Sequence, residues 1–288
     1  MPVLRVLGRI LLVVVAGGFL AQALIVFAPG YSADERELDP GLSAETRHAM
    51  LLEKSKDRQL LGNYGRFLSG LAHGELGTSR SLGRPVKELL EDRLPVTLLA
   101  IAKSVTLGWC LGFTLAVICF AYPGTPIETL GLVSTNLLLC LPAALMALLL
   151  LIWGDARGGA VVWVVALALT PRIFRYSYNL LRQSHESPHI VLAMAKGLGP
   201  IRILFHHVIP PIGGQLIALL GLSVSLGLSA AIPAEVVLDI PGIGQLAWQA
   251  ALSRDLPLLV NLTFVVALIG TTANALSDYL LAETVAGQ

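Results

Sequence analysis

The chain has 288 residues, 55% hydrophobic and 14% charged, with a formal net charge of +1 and a mean hydropathy of +0.74. Soluble domains carry about 25% charged residues, so this balance leaves an integral membrane protein as the class. The near-zero charge argues against a nucleic-acid partner. Cys110, Cys119 and Cys140 lie in apolar runs without CxxC or metal-ligand spacing, as small hydrophobes.

The first apolar run, 6–27, follows Arg5 and Arg9. Ala21-Gln22-Ala23 has the small-x-small form of a cleavage site, but the run continues through Phe27, and roughly 22 residues suffice to span a bilayer. An uncleaved first helix is the expectation. A polar stretch, 29–94, carries ten Lys/Arg and eleven Asp/Glu. Within it Ser43 can cap a helix running to about Lys56, and 63–71 suggests another. Five further spans are expected at about 95–121, 130–153, 160–181, 213–237 and 258–281, giving six transmembrane helices in an all-α integral membrane protein. A tight hairpin is expected at 154–159. Pro142, Pro171 and Pro233 can kink their helices. Gly108 and Gly112 form a GxxxG, and Ser223/Gly227 and Ser225/Ser229 repeat at four-residue spacing, a pattern that lets helices within one chain pack closely.

Basic residues near the spans set the orientation. With the N-terminus inside, Arg5, Arg9, Arg172, Arg175, Arg182, Lys196 and Arg202 fall on the cytoplasmic side, and the short external loops keep Arg157 and Arg254. The polar 29–94 stretch is then a large first external loop, exempt from the rule by its length. The loop at 122–129 fits this less well, because it has no Lys or Arg and carries Glu128. Lys103, about eight residues into its span, either snorkels to the external surface or faces a pore. Arg172 and Arg175 can pair with acids of other helices, meet a partner, or anchor the span end.

Two interruptions carry the functional signal. Between spans, 188–211 reads PHIVLAMAKGLGPIRILFHHVIPP. Its charges keep it out of lipid. Gly197, Gly199 and Pro200 break a first helix, a second restarts at Pro200, and Pro210-Pro211 are expected to end it, making a helix, turn and helix at the membrane surface. The second interruption, Glu235 to Gly244, ends in Pro241-Gly242-Ile243-Gly244, a turn that breaks the fifth span before a short helix at 245–252.

These stretches resemble the permease subunits of ABC importers, in the dipeptide, oligopeptide and nickel branch. Gly197, Gly199-Pro200 and Pro210 match the cytoplasmic EAA-type loop, here Ala193-Met194-Ala195-Lys196-Gly197-Leu198 with His207 following, and Val191 standing where the wider consensus has Glu. Gly74-Glu75-Leu76-Gly77-Thr78-Ser79, Arg93-Leu94-Pro95 and Glu235 to Gly244 with Arg254-Asp255 are similar to the same branch. The resemblance implies a single permease domain over 1–288. It implies that the 184–212 loop docks on a separate ATPase through Ala193, Ala195, Lys196, Gly197, Gly199, Pro200, His207 and Pro210. The segment with Glu235, Pro241, Gly242, Gly244, Arg254 and Asp255 then lines or closes the outer path, or else is a structural turn with Arg254 and Asp255 paired to each other or to nearby backbone. The implied partners are a second permease, two ATPase subunits that bind ATP and magnesium, an external substrate-binding protein and membrane lipid, in a bacterial inner membrane with both termini cytoplasmic.

No GxxxxGK[ST] is present, so the chain brings no P-loop of its own. No nucleophile signature accompanies its serines and histidines, and no catalytic residue, metal site or cofactor in this chain is expected. His185, His189, His206 and His207 match no zinc spacing. The competing class is a secondary transporter driven by an ion gradient. It would want paired polar sites at mid-membrane and an internal repeat, and it has no use for the 188–211 loop.

Overall fold

The structure is a computed structural model that describes residues 73–153 and 159–286, with isolated helical positions at Gly8, Leu12, 15–17, Phe19, Gly65 and 68–71. The rest of the expected first span, the Ser43-capped helix and nearly all of the 154–159 hairpin lie outside the described residues. Among the described residues the long elements are all helical. They are α1 (Val86–Ala121), α2 (Pro126–Leu139), α3 (Ala143–Trp153), α4 (Ala160–His185), α5 (Pro188–Ala195), α6 (Pro200–Ile203), α7 (Ile209–Val237), α8 (Ile243–Leu252) and α9 (Leu256–Ala286). The chain divides into two compact units, 3–93 with 246–268 and 94–245 with 269–288.

Among the described residues four stretches are long and apolar enough to cross a membrane: Val86–Ala121, Ala160–His185, Pro200–Val237 and Pro257–Leu281. Several expected boundaries change. The helix expected from 95 begins at Val86, so the last nine residues of the 29–94 stretch are helical, and Pro95 lies within the helix, as membrane helices tolerate. The span expected at 130–153 is two helices, α2 and α3, meeting at 94°. At 14 and 11 residues, about 21 and 16 Å long, neither crosses a core of about 30 Å by itself. Pro142 explains the break, because it supplies no N–H and pushes the residue before it out of the helical region.

The third change is in the 188–211 loop. Pro210 and Pro211 end nothing. The chain stays helical from Pro200 through a π-helical turn, Leu204–Val208, into α7. A π turn widens the ladder, here with Ile209 N–H donating to the Leu204 carbonyl, and the two prolines follow it in the first turn of α7, where missing donors cost least.

In the second unit α1 and α4 run parallel in close contact, with Ser104, Gly108 and Gly112 of α1 against Val162, Ala166 and Thr170 of α4 in the same order. Ser104 Oγ donates to the Val162 carbonyl at 3.1 Å. A Cβ added to Gly112 would lie 2.8 Å from the Thr170 carbonyl oxygen, so the GxxxG serves packing inside this chain. This register puts Lys103 level with the Ala160 end of α4, near the rim of the span, where its exposed side chain can snorkel. At the other end of α4, Phe174, Tyr178 and Leu181 join Ile190 and Ala193 of α5, Ile203 of α6 and Val208 in one buried cluster.

Candidate functional site

The 188–211 loop has two faces. Pro188 fits the first turn of α5, where its missing donor is no loss. The helix then ends in a Schellman motif. Leu198 N–H reaches the Ala193 carbonyl and Gly197 N–H the Met194 carbonyl, with Gly197 at φ +74°, the left-handed position glycine fills without strain. Inward, Ile190, Ala193, Ile203 and Val208 are buried. Ser184 Oγ donates to the Val208 carbonyl at 2.9 Å, fixing the loop to the end of α4, and His189 Nε2 lies 3.2 Å from the His207 carbonyl within the loop. Outward, Val191 (65% exposed), Leu192, Ile201 (74%) and Phe205 (58%) are exposed apolar side chains.

Of the residues expected to dock, Ala195, Lys196, Gly197, Gly199, Pro200 and Pro210 are exposed, His207 is half-buried and Ala193 faces inward. The most exposed apolar side chains, Val191 and Ile201, were not among them. Their position on the outward face depends on the bend at Gly197, which residue type alone does not reveal.

The loop at 122–129 is tied to the same end of α4. Glu128 accepts from Gly124 N–H at 2.6 Å and from Tyr178 Oη, and Arg182 Nη1 lies 4.0 Å away. A basic partner from α4 therefore offsets the lone acidic charge of that loop.

The Glu235 segment is the reverse of an open site. Glu235 is fully buried. Its Oε1 accepts from Thr97 Oγ1 at 2.7 Å and its Oε2 from Gly244 N–H at 2.7 Å, while Thr97 Oγ1 accepts from Ile243 N–H at 2.8 Å. The carboxyl thus holds the end of α7, the turn and the start of α8 to α1. Glycines make this possible, since a Cβ on Gly242 would fall inside the Glu235 carboxyl and one on Gly244 would sit 2.6 Å from Ile232 backbone. Another Schellman motif ends α7, with Ile240 N–H on the Glu235 carbonyl and Asp239 at φ +51°. The Asp239 side chain accepts from Gln245 Nε2. Pro241 is exposed at the tip. Thr97, central here, carries no signal of its own in the sequence, being one threonine in an apolar span.

In the other unit Asp255 is also buried. Its Oδ2 accepts from Ser79 Oγ at 2.6 Å and from Ser81 N–H and Oγ at 2.9 Å each, and Oδ1 from Leu258 N–H at 3.2 Å. Burial pushes this carboxyl up, but the bonds from Ser79, Ser81 and the Leu258 N–H outweigh it and hold it below the usual aspartate range. Asn261 Nδ2 adds a 2.9 Å bond to the Leu76 carbonyl. Arg254 is exposed, at φ +53°. Asp255 accordingly fastens the Gly74–Ser79 stretch to the start of α9.

Long apolar helices, buried polar clamps and an apolar surface loop define a multi-pass helical membrane protein. Residues 108–283 match the family described as binding-protein-dependent transport system inner membrane component, and the chain belongs to that family. It is a transport permease component, not an enzyme. A putative peptide transport system permease protein of Brucella abortus is 25% identical over 262 residues, covering 83% of each chain. The oligopeptide transport system permease protein AppB of Bacillus subtilis is 24% identical over 271 residues, covering 85% of each. The nickel import system permease protein NikB of Staphylococcus aureus is 25% identical over 276 residues, covering 91% of this chain and 83% of its own. The MetNI methionine ABC transporter, in inward-facing conformations, matches with a TM-score of 0.62 at 16% identity, over 69% of this chain and 97% of that one, a likeness of fold.

Proposed function

We propose that this chain forms half of the solute path of an ABC importer for peptides or a related small solute, and that the 184–212 loop couples it to a separate ATPase. The observation that carries the reading is the two-faced loop. Four large apolar side chains, Val191, Leu192, Ile201 and Phe205, are exposed while Ser184 and the buried cluster fix the inner face to α4. An amphipathic helix set into a partner's groove is a standard recognition mode. Movement of the partner would then pass through Ser184 and the Val208 backbone into α4 and α7. Peptide or nickel-chelate cargo is suggested by what the similar permeases carry.

In this reading a first span at 6–27 completes six, both termini are cytoplasmic, and the 29–94 stretch lies outside. A second permease completes the path. Two ATPase subunits bind ATP and magnesium, and an external binding protein delivers the solute. The turn at Pro241, Gly242 and Gly244 closes the outer end of the path, with Glu235 holding it in place and Arg254-Asp255 beside the last span. Coupling is reciprocal in binding free energy, so loaded binding protein should stimulate hydrolysis. The test is purification of the chain from its native membrane in mild detergent. Recovery of a Walker-A subunit and a second permease is expected. Recovery of the chain alone, where a known ABC complex survives the same procedure, overturns the coupling and promotes the gradient-driven alternative.

A further inference from the structure

The strongest unassigned feature is a polar face on α4. Between Val161 and Pro171 the helix is packed, with Trp163 its one exposed residue. Beyond Pro171 the exposed positions are Arg172, Arg175, Tyr176, Asn179, Arg182 and Gln183. They follow one another at three- and four-residue spacing, so they form one stripe along the helix. The stripe runs from the middle of the helix to the end where the 188–211 loop is fixed.

Depth makes this unusual. The helix has 26 residues, about 39 Å at 1.5 Å per residue. Arg172 is twelve residues from one end and thirteen from the other. Wherever a hydrocarbon core of about 30 Å falls along this helix, Arg172 stays roughly 10 Å or more from either boundary. That exceeds what an arginine covers by snorkelling. Among the described residues its hydrogen bond goes to the carbonyl of Ala168 in its own helix, at 2.9 Å. Arg175, one turn on, has no hydrogen-bond or ion-pair partner among the described residues. A guanidinium at this depth faces water or a counter-charge, because lipid offers neither. Interfaces between membrane helices, by contrast, favour small residues and close backbones, and this stripe has neither.

We propose that Arg172 and Arg175 line a water-filled half of the solute path, open toward the 188–211 loop, and there engage a carboxylate carried by the solute. This rests on the permease reading above and adds a substrate class to it. Two guanidiniums one turn apart offer paired donors to a carboxylate, and Tyr176 and Asn179 continue the donor set toward the loop end. Lys103 belongs to another level of the membrane and takes no part.

The test uses the full chain in inside-out vesicles of its native membrane. Cys110 and Cys140, the exposed native thiols, are replaced by serine, and single cysteines are placed by Arg172→Cys and Asn179→Cys. The probes are two methanethiosulfonates of similar size, one bearing a sulfonate and one a trimethylammonium. The Arg172→Cys chain is expected to react from the vesicle exterior, with the sulfonate on the order of tenfold faster, the scale of one nearby positive charge in a wet cleft. Adding Arg175→Gln should remove most of that preference. Asn179→Cys should react with both probes. Failure of position 172 to react with either probe, while 179 reacts, means that lipid or the second permease covers it and overturns the proposal. So does a preference that Arg175→Gln leaves unchanged. Recovery of the ATPase from the same membranes is read separately. Loss of labelling with the ATPase recovered sinks this inference alone, whereas labelling without an ATPase sinks the coupling.

Discussion

The 188–211 loop and the 235–244 turn stop their helices with the same device and then part ways. Both α5 and α7 end in Schellman motifs, one on Gly197 and the other on Asp239. At the turn, every polar group named above meets a partner inside the chain, and glycines are packed against the Glu235 carboxyl with no room for a Cβ. At the loop, nothing lies within 4 Å of a Cβ built on Gly197 or Gly199, and large apolar side chains face outward. The first arrangement is complete by itself, and the second leaves large apolar side chains exposed. A Gly/Pro break therefore says little until its bonds and its exposed apolar surface are counted.

The largest expected effect falls on the turn. Glu235→Ala removes the acceptor from Thr97 and from the Gly244 N–H, both buried. Stranding buried donors costs about 1–3 kcal/mol each, so roughly 3 kcal/mol in all is expected from denaturant unfolding in micelles. Glu235→Gln should lose about half as much, since its single carbonyl oxygen can serve one of the two donors. Equal midpoints for wild type and Glu235→Ala would remove the contrast between turn and loop.

Asp255 gives a second self-contained clamp and a pH dependence. Its carboxyl is held below the ordinary value, so the folded state favours the ionised form. That stability is fully present above the unfolded aspartate pKa of about 3.9 and is lost as pH falls through the lower folded value. Asp255→Asn should therefore be less stable than wild type at pH 7 by about 1–2 kcal/mol, with the gap narrowing below about pH 4. A gap that is constant down to pH 3 would mean that the serine bonds do not depend on charge.

Gly197→Leu tests the loop's own backbone. With open space around its Cβ, the cost is conformational only, about 1–2 kcal/mol for a left-handed non-glycine residue. The chain should still reach the membrane, and transport should be abolished because the bend that presents both helices is lost. Full transport activity would count against docking.

Much of this was legible in the residues. Apolar runs marked the spans, and Gly197, Gly199 and Pro200 marked the loop. Glu235 stood out as an acid beside a span. What remained hidden depends on partners distant in sequence or on tolerated strain. Thr97 reaches Glu235 across 138 positions, and Ser79 reaches Asp255 across 176. Asp239 and Arg254 occupy left-handed backbone without the glycine that would announce it. Pro210 and Pro211 looked like terminators, but the preceding π turn admits them. Pro142 is expected from the sequence to kink a helix and instead separates two helices at 94°, because two short apolar helices and one bent helix have the same hydropathy.

The smallest structural effect should carry the sharpest functional one. Ile201 is 74% exposed in the first turn of α6, and replacing it with aspartate removes no buried contact. Surface substitutions of this kind change stability by at most about 0.5 kcal/mol, and an acid in a helix's first turn is electrostatically favourable. Unfolding in micelles should thus be unchanged. If the outward face is a partner's seat, a charge at its most exposed apolar position must be desolvated on docking without a counter-ion, so co-purification of the ATPase should fall at least tenfold. Ile201→Ala, which keeps the face apolar, should fall much less. Equal recovery from Ile201→Asp and wild type would leave the loop's apolar side chains without a partner, and the contrast with the turn would then rest on lipid contact instead.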